Sequence, residues 1–178
     1  MATLEELSPE EMTRGLSYAG LVLVAFELVK KMVVRPIKLF YSDTTFAPTS
    51  PFKSYDQDVR FRHSNEFEAC LLYLRDFMKA IDSADLATIQ ELRTHRNELA
   101  HDLVGRLPAL RIGDYSSLWE RVDRTLFKMS NYRTYMEIGA DPEFRWIEDW
   151  DSVKGTEYLL FEAVKERVAV INPNKSGA

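Results

Sequence analysis

The segment 16-LSYAGLVLVAF-26 carries no charge and no proline, and as a helix it is apolar on nearly every face. Such a helix is stable only when it is covered on most sides. The preceding 8-SPEE-11 supplies its start: Ser8 as N-cap, Pro9 at the first helical position and Glu11 at N3, which together make a capping box. Leu7 and Met12 are spaced for the flanking hydrophobic staple. The pattern predicts a helix over residues 9–34, ending there because Pro36 disfavours helical backbone at Arg35. In a chain of 178 residues, two apolar faces imply one against the core and one against a partner chain. The run is too short to span a bilayer, and Glu27, Lys30 and Lys31 follow it, so no membrane segment is expected.

The rest of the chain reads as more helices. Phe67, Leu71, Leu74, Met78 and Ile81 recur by fours and threes and predict a helix over 65–81. Another starts after Ser83. Ser117 and Glu120 read as a second capping box, opening a helix with Leu118, Val122, Thr125, Met129, Tyr132 and Met136 along one stripe and Gly139 at its end. Phe161, Val164, Val168 and Ile171 predict a last helix over 156–171. The expected fold class is therefore all-α: one domain over 1–171, an antiparallel bundle of four to five helices, with 172–178 as a frayed tail.

Two connections stand out. Residues 41–63 form a long loop holding Pro48 and Pro51, and loops of that length are commonly functional. Its end interleaves Lys53, Tyr55, Arg60, Phe61, Arg62 and His63, a mixture that suits the backbone and bases of single-stranded RNA. The alternative is a polar loop anchored by its aromatics. Residues 140–154 are acidic and aromatic, with Asp141, Glu143, Glu148, Asp149 and Asp151 against Arg145 and Lys154.

The net charge of −5 argues against a broad nucleic-acid-binding surface but leaves room for a local basic cleft. Cys70 is the single cysteine, lies in an apolar helical pattern and reads as a small buried hydrophobe. With no disulfide framework and no signal peptide, a cytoplasmic location is expected.

Chemistry concentrates in 94-THRNELAHDL-103. Ile89, Leu92, Arg96, Leu99 and Leu103 alternate by three and four, which puts an arginine in the core register. At about 100° per residue, Ala100 lies about 40° from Arg96, Arg93 about 60°, Asn97 about 100° and His101 about 140°. Arg96, Arg93, Asn97 and His101 thus share one arc beside the apolar stripe, an arrangement suited to an anion. Arg96 and His101 are not eclipsed, so one ideal helix does not aim both at one atom. The structural readings are an arginine that snorkels to solvent or pairs with a buried carboxylate, and a satisfied histidine. Metal readings fail: His95 and His101 are not at i, i+4, and Glu98-x-x-His101 has no second copy elsewhere.

The sequence 96-RNELAH-101 resembles the signature of the HEPN superfamily (higher eukaryotes and prokaryotes nucleotide-binding): an Arg, often followed by a polar residue, four to six residues, then His. The resemblance covers residues 65–136, with the first helix as a further bundle member. It implies an antiparallel helical bundle, a homodimer whose two motifs face a shared cleft, and a metal-independent endoribonuclease with no cofactor, acting as a toxin or in antiviral or stress defence. An antitoxin or regulatory protein is then an expected partner. Arg96 and His101 would be catalytic and Asn97 would orient them; Arg93 joins as an anion-binding residue on the angular argument alone. One subgroup carries a Tyr two residues after the His; Leu103 stands there, so regulation through that Tyr is not expected. The alternative within the family is a non-catalytic module that binds a nucleotide, RNA or a protein.

Overall fold

A computed structural model describes residues 4–139 and 141–172, and among these there are helices and no strands. In chain order the α-helices are α1 (Pro9–Asp43), α2 (Tyr55–Asp58), α3 (Glu66–Asp76), α4 (Ser83–His101), α5 (Leu103–Arg106), α6 (Ser116–Ile138) and α7 (Thr156–Ile171), joined by short 3₁₀ turns. The all-α class expected from the sequence is what the chain adopts.

Cross-ties set the order of packing. Asp85 and Glu91 on α4 pair with Lys128 and Arg121 on α6, so those helices run antiparallel. Glu157 and Lys165 on α7 pair with Arg133 and Asp123 on α6, again antiparallel. Helix α1 closes the ring against α4 and α7, and α3 packs across the outside of α1 and α4. Tyr18, Val22, Val29, Leu71, Ile89, Leu92, Leu99, Leu126 and Phe161 form the fully buried centre.

The start of α1 follows its sequence. Glu11 N donates to Ser8 Oγ at 3.2 Å and Ser8 N donates to the Glu11 carboxylate at 2.9 Å, completing the capping box. Its end does not. The helix runs through Pro36 to Asp43, nine residues beyond the expected stop. A proline inside a helix costs about 3 kcal/mol. Ile37 is buried, and Phe40 and Tyr41 pack edge-on into a cluster with Phe46, Phe52, Tyr55 and Tyr73. The buried Ile37 returns about 1.5–3 kcal/mol, and the partly covered Phe40 and Tyr41 add to it, which together offset the proline.

That cluster also reorganises the expected long loop. Within 41–63, the end of α1, α2 and a 3₁₀ turn at Arg60–Arg62 leave irregular backbone mainly over 44–54. Asp58 is buried there and accepts from Tyr41 Oη at 2.8 Å and Lys53 N at 2.7 Å.

Other boundaries shift as well. Helix α3 ends at Asp76 rather than 81, and the turn after it passes through Lys79 at φ 57°, a left-handed conformation that no helix continues. Asp82 rather than Ser83 caps α4, in a capping box with Asp85. The Ser117–Glu120 box does not form: α6 starts at Ser116 with Tyr115 in the cap position, and Ser117 Oγ accepts from Arg121 instead. Asn172 is buried against Ser116, so the folded unit includes the first residue assigned to the tail; 173–178 lie outside the described residues. The acidic connection is tied to α6, where Asn131 donates to the carbonyls of Trp150 and Val153. Ala140, at the head of that connection, also lies outside the described residues. Cys70 is buried, as its pattern implies, and burial pushes its thiol up to about 11.

In the single chain, α1 buries one face. Leu16, Gly20 and Val24, one turn apart, form an exposed stripe on its other side, with open space around Gly20. No helix among the described residues is long and apolar enough to cross a membrane.

Candidate functional site

Helix α4 carries the Arg-to-His segment, held in place by Ile89, Leu92 and Leu99 from below and by its Asp82 cap at the start. Arg96 emerges at the seam between α4 and α1. Its Cζ lies 5.4 Å from the centroid of the Phe26 ring, a cation–π distance. Its Nη1 donates to Asn97 Oδ1 at 3.0 Å, and Nη2 is 3.6 Å from Glu27 Oε1. The side chain keeps 30% of its surface exposed and Glu27 keeps 50%, so this is a loose surface ion pair rather than a buried one. Arg96 Nε is sealed off without an acceptor. The guanidinium is thus positioned by an aromatic face and a neighbouring amide, with its outer edge reachable from solvent.

His101 is the last residue of α4 and is exposed. Five residues after Arg96, it stands about 7.5 Å further along the axis. Asp102 turns the chain there: its N–H still donates to Glu98, while its carboxylate accepts from Gly105 N at 3.1 Å and starts α5. Glu98 is held by Arg106 at 3.0 Å. Ala100 is exposed between Arg96 and His101 and leaves the space beside them open.

The arc does not stay together. Arg93 turns toward α3, forms an ion pair with Glu68 and lies over Phe67. Gln90 donates to the same Glu68 at 2.6 Å. Asn97 stays with Arg96.

The basic and aromatic residues of 53–63 are drawn into local contacts. Arg62 Nε donates to the Asp58 carbonyl at 2.6 Å, and its guanidinium lies between Phe61 and Tyr73. Tyr55 Oη donates to Glu66 at 3.0 Å. His63 Nδ1 accepts from Asn65 N at 2.9 Å. Lys53 contributes its backbone N–H to Asp58 and leaves its side chain exposed; Arg60 is half-buried and Phe61 is exposed. The bonds of this segment run to α1, α3 and one another.

A second histidine on α4 matters to the site, though the sequence raised it only as a failed metal ligand. His95 is only 5% exposed. It stacks on Tyr115 with ring centroids 3.7 Å apart, and its Nε2 lies 3.0 Å from Tyr18 Oη. Trp119 Nε1 donates to the same hydroxyl at 3.3 Å. Indole is a donor only, so Trp119 donates to Tyr18 and Tyr18 donates to His95 Nε2, which leaves His95 Nδ1 a buried N–H without a hydrogen-bond partner. Burial pushes His95 down to about 4, so the ring is neutral at physiological pH. Its spacing gave it away: Leu92, His95 and Leu99 follow by three and four, a core register. His95 therefore anchors α4 to α1 and α6 one turn before Leu99, and fixes the rotation that brings Arg96 to the seam.

Comparison with protein-family models, with curated proteins and with solved structures finds no match.

Proposed function

We propose that the protein is a metal-independent endoribonuclease of HEPN type, acting as a toxin or a defence effector at a cleft shared by two chains. The observation that carries this reading is Arg96: a guanidinium in core register that is nevertheless kept half-open at the α1–α4 seam, steadied by Phe26 and Asn97. A purely structural arginine of that register pairs with a buried carboxylate or snorkels to solvent; Glu27, half-exposed at 3.6 Å, is not a buried partner, and snorkelling alone does not require the Asn97 amide that holds the guanidinium.

The chemistry needs two groups. Imidazole takes and gives protons near neutral pH, so His101 removes the proton from the 2′-hydroxyl of RNA as that oxygen attacks the adjacent phosphorus. Arg96 holds the charge that grows on the non-bridging oxygens. The bond from phosphorus to the 5′-oxygen of the next nucleotide breaks and that oxygen takes a proton from water, leaving a 2′,3′-cyclic phosphate and a 5′-hydroxyl, with the 2′ proton on His101. Arg96 and His101 of one chain diverge by about 140°, so the pair that acts on one phosphate comes from two chains. The exposed stripe Leu16, Gly20, Val24 beside the seam gives the second chain a surface to cover.

The test is cleavage of a single-stranded RNA in EDTA by the wild type, Arg96→Ala and His101→Ala. Loss of about 100-fold in each variant is expected, with no cleavage when the 2′-hydroxyl at the scissile position is replaced by hydrogen. Equal activity in all three proteins overturns the catalytic reading and leaves a non-catalytic RNA-, nucleotide- or protein-binding module.

A further inference from the structure

A hollow of about 220 Å³ opens between the second half of α1, α3 and α6. Larger hollows open elsewhere on the surface, but this one borders the core and is lined mostly by apolar side chains. Met32, Met78, Met129 and Met136 line it, four of the six methionines of the chain, together with Phe52 and Tyr132. Methionine side chains are unbranched and polarizable and reshape around whatever enters.

The polar groups at its edge are already occupied. Tyr132 Oη donates to the Met78 carbonyl at 3.1 Å, and Tyr73 Oη lies 3.1 Å from Tyr41 Oη. Arg133 is held by Glu137 at 2.7 Å and by Glu157 at 2.6 Å. An anionic ligand therefore finds no free counter-charge, since Arg133 is already matched by two carboxylates, and a cation would be desolvated against the apolar lining. One acceptor differs. Pro36 borders the hollow within α1 and has no N–H to give the Met32 carbonyl one turn earlier.

We propose that this hollow binds an uncharged, flat, apolar small molecule bearing one hydrogen-bond donor, with the ring system against the methionines and the donor on the Met32 carbonyl. An apolar cavity of about 150 Å³ takes up benzene, so 220 Å³ suits a bicyclic ring such as a naphthol or an indole. Met136, 55% exposed, stands at the mouth, so entry needs no unfolding of the core. The proposal is independent of the ribonuclease reading, because none of the residues named belongs to the Arg96–His101 region.

The test is a titration of protein labelled with ¹³C-methyl methionine against 1-naphthol. Saturable shifts of the Met32, Met78, Met129 and Met136 signals are expected, with Met12 unmoved. Naphthalene should bind about fivefold more weakly, as one hydrogen bond would dictate, and 1-naphthoate should not bind. Met136→Trp fills the mouth from outside the core and should weaken 1-naphthol about tenfold with the melting temperature unchanged. Absence of saturable shifts, movement of Met12 with the others, or equal binding by Met136→Trp overturns the site. Equal binding of naphthalene overturns the role of the Met32 carbonyl. A shift of the four signals with protein concentration alone assigns the hollow to a second copy of the chain instead.

Discussion

The hydroxyl of Tyr18 on α1 and Nε2 of His95 on α4 lie 3.0 Å apart inside the core, 77 residues apart in the chain. Trp119 on α6 donates into the same hydroxyl. Three helices of the ring thus meet at one phenolic oxygen. Tyr18→Phe keeps the ring and its packing but leaves His95 Nε2 and Trp119 Nε1 buried without partners. Each such loss costs about 1–3 kcal/mol. Urea denaturation of Tyr18→Phe should show a fall in stability of about 2 kcal/mol or more, with the slope of the transition unchanged. A loss below about 0.5 kcal/mol would mean that the pair is not satisfied in this way.

The same histidine sets a pH dependence. Burial lowers His95 from 6.5 to about 4. Between those values the unfolded chain binds a proton that the folded chain refuses, so stability is full above about 6.5, falls as the pH drops, and levels off below about 4. At 1.36 kcal/mol per pH unit the fall amounts to about 3 kcal/mol. The carboxylates held low by their partners, Asp76, Asp82 and Glu157 among them, have ordinary values of 4.5 or less and release their share only below that. The stretch from 6.5 to 4.5 therefore reports His95. Chemical denaturation across that range should show the decline in the wild type, and His95→Gln should flatten it.

Local signals in the sequence were legible where they were self-contained. Helix α7 spans the residues its spacing indicates because Phe161 and Val168 face one core, and α1 begins where Ser8 and Glu11 reciprocate. Long-range contacts hid the rest. Nothing near Pro36 announces that Phe40 and Tyr41 will meet Phe52 and Tyr73 and carry the helix onward. The end of α3 depends on a left-handed Lys79. At the site, the register of Arg96 was visible, but the pull of Glu68 on Arg93 was not, since the two are 25 residues apart. His95 shows the opposite: its core spacing was present in the sequence, while a histidine within two turns of another first suggests a metal ligand.

The exposed stripe on α1 makes the assembly testable. Val24 is 50% exposed and has Gly20 and Leu16 beside it. A lysine there costs a free chain little, because its charge stays in water. Placed in an interface between two copies, the same charge is desolvated and faces its own image across the symmetry axis. Sedimentation should find the wild type dimeric at micromolar concentration and Val24→Lys monomeric, with equal melting transitions for the isolated chains. RNA cleavage should fall with the dimer. A monomeric wild type that still cuts RNA would remove the shared cleft from the mechanism.

The sharpest consequence of a shared cleft concerns mixed dimers. Arg96 and His101 diverge on α4, so in the proposed cleft one phosphate would be served by Arg96 of one chain and His101 of the other. Arg96→Ala and His101→Ala are then each inactive alone, because every site in either homodimer lacks one group. Mixing them in equal amounts and allowing subunit exchange makes half of the dimers mixed. In each mixed dimer one site receives Arg96 from one chain and His101 from the other and is complete, while the second site lacks both. Random pairing therefore restores roughly a quarter of wild-type activity. The measurement is the initial rate of single-stranded RNA cleavage in EDTA, taken before and after exchange. Recovery sharing the wild-type dependence on dimer concentration places the two groups on different chains. No recovery, with exchange verified by mass, places both groups in one chain; α4 would then have to unwind beyond Asn97 to bring His101 onto the phosphate held by Arg96.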